Sequence, residues 1–276
     1  MFEASPRMPQ QKSKRMREYD KFSKDVKDAS WHEISEKVSE SPDSVILERK
    51  KEILENINPE ELLAQMPKSS FNQIKEYVTF RGCVFESLVN EEMNREEENS
   101  VLGNFILNCL QRPQILGLDP RKMFKNPDHL GVVVDTEKNV AFITGMYEVK
   151  VGIFSKRGKK QIETFYKNLE IISERINQEL IRLKKEYNFD FIPEGGVVLK
   201  ADDQIDKFLV MPMPTSQLQN KKFEAKRKKF LAQGWDLKKS VFSKANIGKV
   251  TAFLMKYYKD YKDEIDRLRN DSGLHQ

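Results

Sequence analysis

Glu148, Val149 and Lys150 stand in the run NVAFITGMYEVKVG (139–152), and twenty residues upstream Pro127-Asp128 leads into HLGVVVD (129–135). Both runs are rich in β-branched residues, and the polar TEKN between them reads as the turn of a hairpin. In a strand, residues i and i+2 share a face. The Glu148 carboxylate and Lys150 ammonium then point one way while Tyr147, Val149 and Val151 point the other. A suitable register would bring Asp128 beside that pair. Two carboxylates and a backbone carbonyl, here that of Val149, make a hard oxygen site for Mg²⁺, with Mn²⁺ expected to substitute. Such an ion lowers the pKa of a bound water and offsets charge building on a phosphate. A neighbouring lysine can orient that water and stabilise the same charge.

The spacing alone carries little. An acid two residues before a lysine occurs six times, starting at Asp25, Glu48, Glu148, Glu224, Asp236 and Asp260. Only the Glu148 pair is expected on an apolar strand; the other five read as loop or solvated helix. Pro-Asp occurs at Pro42 and Pro127, and only the second runs straight into a strand. The plainer alternative is an edge strand with Glu148 and Lys150 solvated and Pro127-Asp128 as a turn.

Several elements must position these residues. Residues 1–42 are polar and broken by Pro6, Pro9 and Pro42, which reads as a flexible basic leader with a weak helix near Trp31–Val38. Residues 43–215 are expected to form the α/β core with its N-terminal helices. Asp43 is an N-cap candidate before Val45, Ile46, Ile53, Leu54 and Ile57 at helical spacing. Pro59 starts a shorter helix. A longer one runs from Ser69 through Phe85, Leu88 and Val89, and a further one covers about 100–110. After the hairpin and the basic loop SKRGKK, residues 160–187 carry Phe165, Leu169, Ile172, Ile176, Leu180 and Leu183 on one helical stripe. The runs FDFIPEGGVVLKA and KFLVMPMP return to strand character, and residues 216–276 read as a basic, helical C-terminal extension. The fold class expected is α/β with a mixed sheet and helical extremities.

The segment NPDHLGVVVDTEKNVAFITGMYEVKVG resembles the metal-site region of the PD-(D/E)xK nuclease superfamily, whose restriction-endonuclease-like core has the order α-β-β-β-α-β. The resemblance covers about residues 70–212. It implies Asp128 and Glu148 as metal ligands and Lys150 as the catalytic lysine. The family pattern also places a glutamate on the first core helix. RGCVFESLVNEEM is similar to that helix, and Glu86 is the matching position. At 100° per residue Glu86 lies at the edge of the stripe of Phe85, Leu88 and Val89, while Glu92 is a rival because it projects onto the middle of that stripe. Exonuclease-like branches add Gln-x-x-x-Tyr on the following helix. Gln161 is present, but position 165 is Phe and Tyr166 comes one residue late, so the pattern is broken here. The resemblance implies hydrolysis of phosphodiester bonds, in DNA rather than RNA.

The distribution of charge fits a polyanionic partner. Lys and Arg number 48 against 43 Asp and Glu, a net charge of only +5. Residues 220–249, however, hold ten basic residues and two acids, including Lys226, Arg227, Lys228 and Lys229. Lys156, Arg157, Lys159 and Lys160, with Gln161, follow the Glu148 strand and are expected to line the same cleft. Phe223, Phe230, Trp235 and Phe242 interleave with the basic tail. They read either as a stacking surface for unpaired bases or as the buried side of an amphipathic helix.

Other chemistries fall away. Two cysteines, Cys83 and Cys109, exclude a disulfide scaffold or a thiolate zinc site, and the scattered His32, His129 and His275 offer no zinc centre or histidine triad. No apolar run approaches the roughly 18 residues of a membrane span, and no secretory signal is visible at the start. A cytoplasmic protein without a membrane partner is expected. Two functional alternatives stay open: a non-catalytic nucleic-acid-binding protein on the same fold, and a helical protein-interaction scaffold.

Overall fold

The computed structural model describes residues 24, 26–66, 77–94, 127–135, 137, 138, 140–152, 163–165, 167–188, 192, 194 and 197–271. The elements are α1 (Trp31–Ser39), α2 (Ser44–Glu55), α3 (Pro59–Gln65), α4 (Tyr77–Asn94), β1 (His129–Asp135), β2 (Val140–Val149), α5 (Leu169–Tyr187), β3 (Val198–Met213), α6 (Gln217–Leu231), β4 (Asp236–Ser243), α7 (Lys244–Asp260) and α8 (Lys262–Asp271). They divide into two compact units, one made of residues 1–84 with 244–276 and one of residues 85–243. Among the described residues no helix is long and apolar enough to cross a membrane.

The described residues of the first unit form helices, and the starts of α1, α2 and α3 are closed by side chains. Ser30 and Glu33 form a reciprocal capping box on α1. Asp43 accepts from the amides of Val45 and Ile46 at the start of α2, and Asn58 with Pro59 opens α3. The buried Arg269 of α8 donates to the carbonyls of Leu63 and Ala64, satisfying the open end of α3. Trp31 reaches the Leu54 carbonyl through its indole N–H and packs its ring against Phe253 of α7.

In the second unit a four-stranded mixed sheet runs β1-β2-β3-β4. The hairpin expected from TEKN forms, with β1 antiparallel to β2 and His129 opposite Tyr147. β3 and then β4 add in parallel, which requires crossover connections; α5 lies between β2 and β3 in the chain and α6 between β3 and β4. One core fills the side of the sheet under these helices. Leu130 and Val132, Ala141 with Ile143 and Met146, Leu199, Leu209 and Leu237 meet Phe165, Leu169, Ile172, Ile176 and Leu180, together with Phe223 of α6. Each fully buried aliphatic or phenyl side chain of this kind contributes roughly 1.5–3 kcal/mol of transfer free energy.

Two departures from the sequence-based expectation stand out. Among the described residues the second unit follows the order α-β-β-α-β-α-β; two strands precede α5 as the hairpin reading expects, where the order implied by the resemblance has three, and residues 153–162 lie outside the described residues. Residues 216–276, expected to be helical throughout, contain β4, so the acid-x-Lys triplet at Asp236-Leu237-Lys238 also lies on a strand. The turn into β4 depends on Gly234, whose φ of 74° few other residues adopt. There the Gly234 amide donates to Leu231 and the Trp235 amide to Phe230, the pairing of a Schellman motif.

Glu92 of α4 is what holds β4 at its far end. Its side chain is 1% exposed, and its carboxylate accepts from the Ser240 hydroxyl at 2.7 Å and the Val241 amide at 3.1 Å. Glu92→Ala leaves both donors buried and unpaired, so unfolding free energy should drop by about 2–4 kcal/mol and Ser240→Ala by about 1 kcal/mol in denaturant titrations. Equal midpoints for wild type and Glu92→Ala would show that the clamp contributes nothing.

Candidate active site

The hairpin register fixes the centre of the site. With His129 opposite Tyr147, one further step sets Asp128 opposite Glu148. The Asp128 amide donates to the Tyr147 carbonyl at 2.8 Å and extends the ladder past the end of β1. Asp128 Oδ2 then turns back over β2 and accepts from the Val149 amide at 2.6 Å and from Lys150 Nζ at 3.1 Å. Lys150 Nζ also stands 2.7 Å from Glu148 Oε1. One ammonium therefore bridges the two carboxylates. The Lys150 amide donates to the Val210 carbonyl at 3.0 Å, which ties the end of β2 to β3.

The face that these side chains share follows from strand alternation. Ala141, Ile143 and Met146 belong to the core under α5 and α6, and Glu148 and Lys150 continue the Met146 side. A register shift between Ile143 and Gly145 corrects the phase, since 143 and 146 would otherwise point in opposite directions. Gly145 suits that position, because a Cβ would stand 3.1 Å from the Tyr147 ring and the ring would have to give way by a few tenths of an ångström. That ring stacks on Phe208 with centroids 4.7 Å apart and takes the edge of His129 at 5.4 Å, on the opposite face of the sheet.

Burial makes the cluster electrostatically tense. Exposure of the Glu148 side chain is 2%, and its Oε2 is buried with no hydrogen-bond partner among the described residues. Burial pushes the Glu148 carboxyl up to about 6; the Asp128 charge adds to the rise and Lys150 opposes it. Asp128 is also raised by burial, against the pull of Lys150 and the Val149 amide. Glu86 is pushed furthest, to about 8, first by burial and then by the negative charge of Asp128, with a smaller push from Glu148 and relief from Lys150. Part of Glu86 remains accessible to solvent, yet its carboxyl is ringed by protein atoms. Burial alone would lower the Lys150 ammonium, but Asp128, Glu148 and Glu86 outweigh it and hold the proton firmly.

Four of the expected site residues, Glu86, Asp128, Glu148 and Lys150, thus meet in one electrostatic cluster, whereas Glu92 is engaged by Ser240 and Val241. Val149, expected through its carbonyl, contributes its amide to Asp128. Lys156, Arg157, Lys159, Lys160, Gln161 and Tyr166 lie outside the described residues, as does His275. Lys226 rests on Met211 and the Phe230 ring, and Arg227 pairs with Asp236 at 2.8 Å. Lys228 and Lys229 are exposed. Phe223, Trp235 and Phe242 are buried, so among the described aromatics of this segment the reading as packed hydrophobes holds.

Among the described residues no group of three or more His, Cys, Asp or Glu is arranged to hold a metal ion. Lys150 occupies the position between Asp128 and Glu148 where a cation would sit. The donor chemistry nonetheless fits a hard divalent ion: oxygen donors only, one buried carboxylate oxygen without a partner, and two carboxylates sharing one ammonium.

The raised acids give a testable pH signature in metal-free protein. Glu86 titrates near 4.5 when unfolded and about 8 when folded, so the folded state binds more protons between those values and stability falls as pH rises through that window. Glu86→Gln removes the Glu86 share of that loss and leaves the smaller share of Glu148 and Asp128. Its melting temperature should match wild type below pH 4.5 and exceed it by several degrees above pH 8, at about 2–4 °C for each kcal/mol recovered. A constant difference across the range would remove Glu86 from the cluster.

Comparison with family models, with curated proteins and with solved structures gives no match to this chain. What the site can do is read from its own residues.

Proposed function

We propose that this chain is a metal-dependent nuclease of the PD-(D/E)xK type, built on a restriction-endonuclease-like core and hydrolysing phosphodiester bonds, in DNA rather than RNA. The observation that carries the reading is the meeting of Asp128, Glu148 and Lys150 through contacts of 2.7–3.1 Å at the end of a strand pair, with Glu86 in the same electrostatic cluster. In that reading Asp128 and Glu148, with the Val149 carbonyl, hold Mg²⁺ or Mn²⁺. The ion, when bound, supplies Lewis acidity toward a phosphate oxygen and acidifies a water.

The remaining work falls to the chain. Lys150 keeps its proton at any physiological pH, so it can place a positive charge where the phosphate gains negative charge. It hydrogen-bonds two carboxylates in the structure, and release from one of them frees a donor for the attacking water or a phosphate oxygen. Glu86, with its carboxyl near 8, is largely protonated at neutral pH and can donate a hydrogen bond that an ordinary carboxylate cannot. The Val149 amide holds Asp128 against β2, which orients that carboxylate without using its second oxygen.

A second reading has its own support. The Lys150 bridge already neutralises part of the cluster, and that arrangement suits a non-catalytic nucleic-acid-binding protein on the same scaffold. Incubation with plasmid, single-stranded DNA and RNA, with and without Mg²⁺ or Mn²⁺, separates the two. The nuclease reading expects cleavage only with metal, and a fall of about 100-fold or more in Asp128→Ala and Lys150→Ala. Undiminished cleavage by either variant, or binding with no product under every metal condition, sinks it.

A further inference from the structure

The basic helix α6 sorts its charges by direction. On its sheet side, Arg227 is paired with Asp236, Lys226 lies over Phe230, and Glu224 is held by Lys239 of β4 at 2.9 Å. Lys239 also sits over the buried Phe223 ring at 4.8 Å. On the outer side, Leu218, Lys221, Lys222, Ala225, Lys228 and Lys229 follow the three- and four-residue spacing of a single helical face, and all are exposed. Among the described residues the side chains of those four lysines make no salt bridge or hydrogen bond. The one acid within reach among the described residues, Glu224, is already taken by Lys239 and offsets only part of the charge of Lys228, so the four like charges repel each other and an anionic partner relieves that repulsion.

From this arrangement we infer that the outer face of α6 is a docking track for the phosphate backbone of a nucleic-acid duplex. The proposal rests on the nuclease reading for its choice of partner and adds a contact surface outside the carboxylate centre. Seven residues separate Lys221 and Lys222 from Lys228 and Lys229, a rise of about 10 Å. Measured along the axis of B-form DNA, that distance spans about three phosphates of one strand. The aromatics that would favour unpaired bases face inward: Phe223 and Trp235 are buried, and Phe230 is covered by Lys226. With lysines outside and aromatics inside, the face offers charge to a backbone and no stacking platform.

Topology links the track to the site. β3 runs parallel to β2, so the Met213 end of β3 lies at the same end of the sheet as Glu148 and Lys150. α6 starts four residues after Met213, so its N-terminal lysines begin from that end. A duplex laid along α6 therefore passes the end of the sheet where the carboxylates cluster.

The test is equilibrium binding of a short fluorescent duplex to full-length protein in EDTA across a salt series. Two fourfold variants are compared with wild type. One removes the track (Lys221→Ala, Lys222→Ala, Lys228→Ala, Lys229→Ala). The other removes four exposed lysines elsewhere (Lys37→Ala, Lys51→Ala, Lys185→Ala, Lys259→Ala) and so matches the change in net charge. The track variant should bind about tenfold or more weakly, with the slope of log affinity against log salt reduced by about 3–4. The control should change by less than about threefold. Each half-variant, at 221–222 or 228–229, should lose about half the slope change, which keeps the test valid if the fourfold variant melts early. Equal weakening by both fourfold variants, unchanged binding by the track variant, or wild-type binding to single strands or anionic vesicles but not to duplex overturns the proposal. Cleavage assays on the same preparations keep the two readings apart. Track-dependent binding without any cleavage leaves docking standing while the nuclease falls, whereas Asp128-dependent cleavage with track-independent binding does the reverse.

Discussion

Two carboxylates, Asp128 and Glu148, close on a single ammonium at the end of β2 with the charge of Glu86 coupled to them, and the fold keeps them there at an electrostatic cost. Burial raises Glu86, Asp128 and Glu148 together, and Lys150 can neutralise only one full charge. Purely structural ion pairs in proteins tend toward balance, because an unmatched buried charge costs several kcal/mol. An excess of acid held in place by strand pairing, rather than relieved by it, marks a candidate functional site and is what supports the proposed cation there. Lys150 also means that the cluster carries an internal counterion. Folding can therefore assemble it without waiting for a metal, unlike small domains whose ligands organise only when the ion binds.

How this centre could be read from the sequence differs from residue to residue. The hairpin was legible because β-branched runs flank a polar turn, and two-residue periodicity then set Glu148 and Lys150 on one face. Helix α5 was legible for a similar reason, since its apolar stripe has a single job against the sheet. The position of Asp128 opposite Glu148 was not. It depends on pairing register, which is fixed by the shifts near Gly131 and Gly145 and by cross-strand packing of His129, Tyr147 and Phe208. The choice between Glu86 and Glu92 was also hidden. Both lie along one apolar helix, and only tertiary packing decides that Glu92 meets Ser240 while Glu86 joins the carboxylates.

β4 escaped sequence reading for a physical reason. Its residues DLKKSVFS lack clean alternation, and two adjacent lysines suggest solvent. In the sheet those lysines behave as amphipathic side chains. Lys238 lies 3.9 Å from the Phe208 centroid and 5.0 Å from that of Tyr147, and Lys239 covers Phe223 from the other face. Their stems fill the space that branched aliphatics would occupy in a more recognisable strand. The signal that was present is Gly234, which ends α6 and lets the chain turn into Trp235 and Leu237.

The Glu92 clamp reaches further than the strand it holds. Glu86 and Glu92 share one helix, six residues or about 9 Å apart. Bonds at Ser240 and Val241 fix both the height and the rotation of α4 against the sheet, much as a set screw fixes a rod. Glu86 thereby inherits its position from a strand that is anchored through Glu92, about one and two-thirds turns further along the helix. A helix can slide or roll by an ångström without unfolding, and for an acid tuned by its neighbours such a displacement changes its protonation. The outer carboxyl is thus indexed by β4, and the sheet edge remote in sequence from the Asp128–Glu148 pair helps set the charge state of the site.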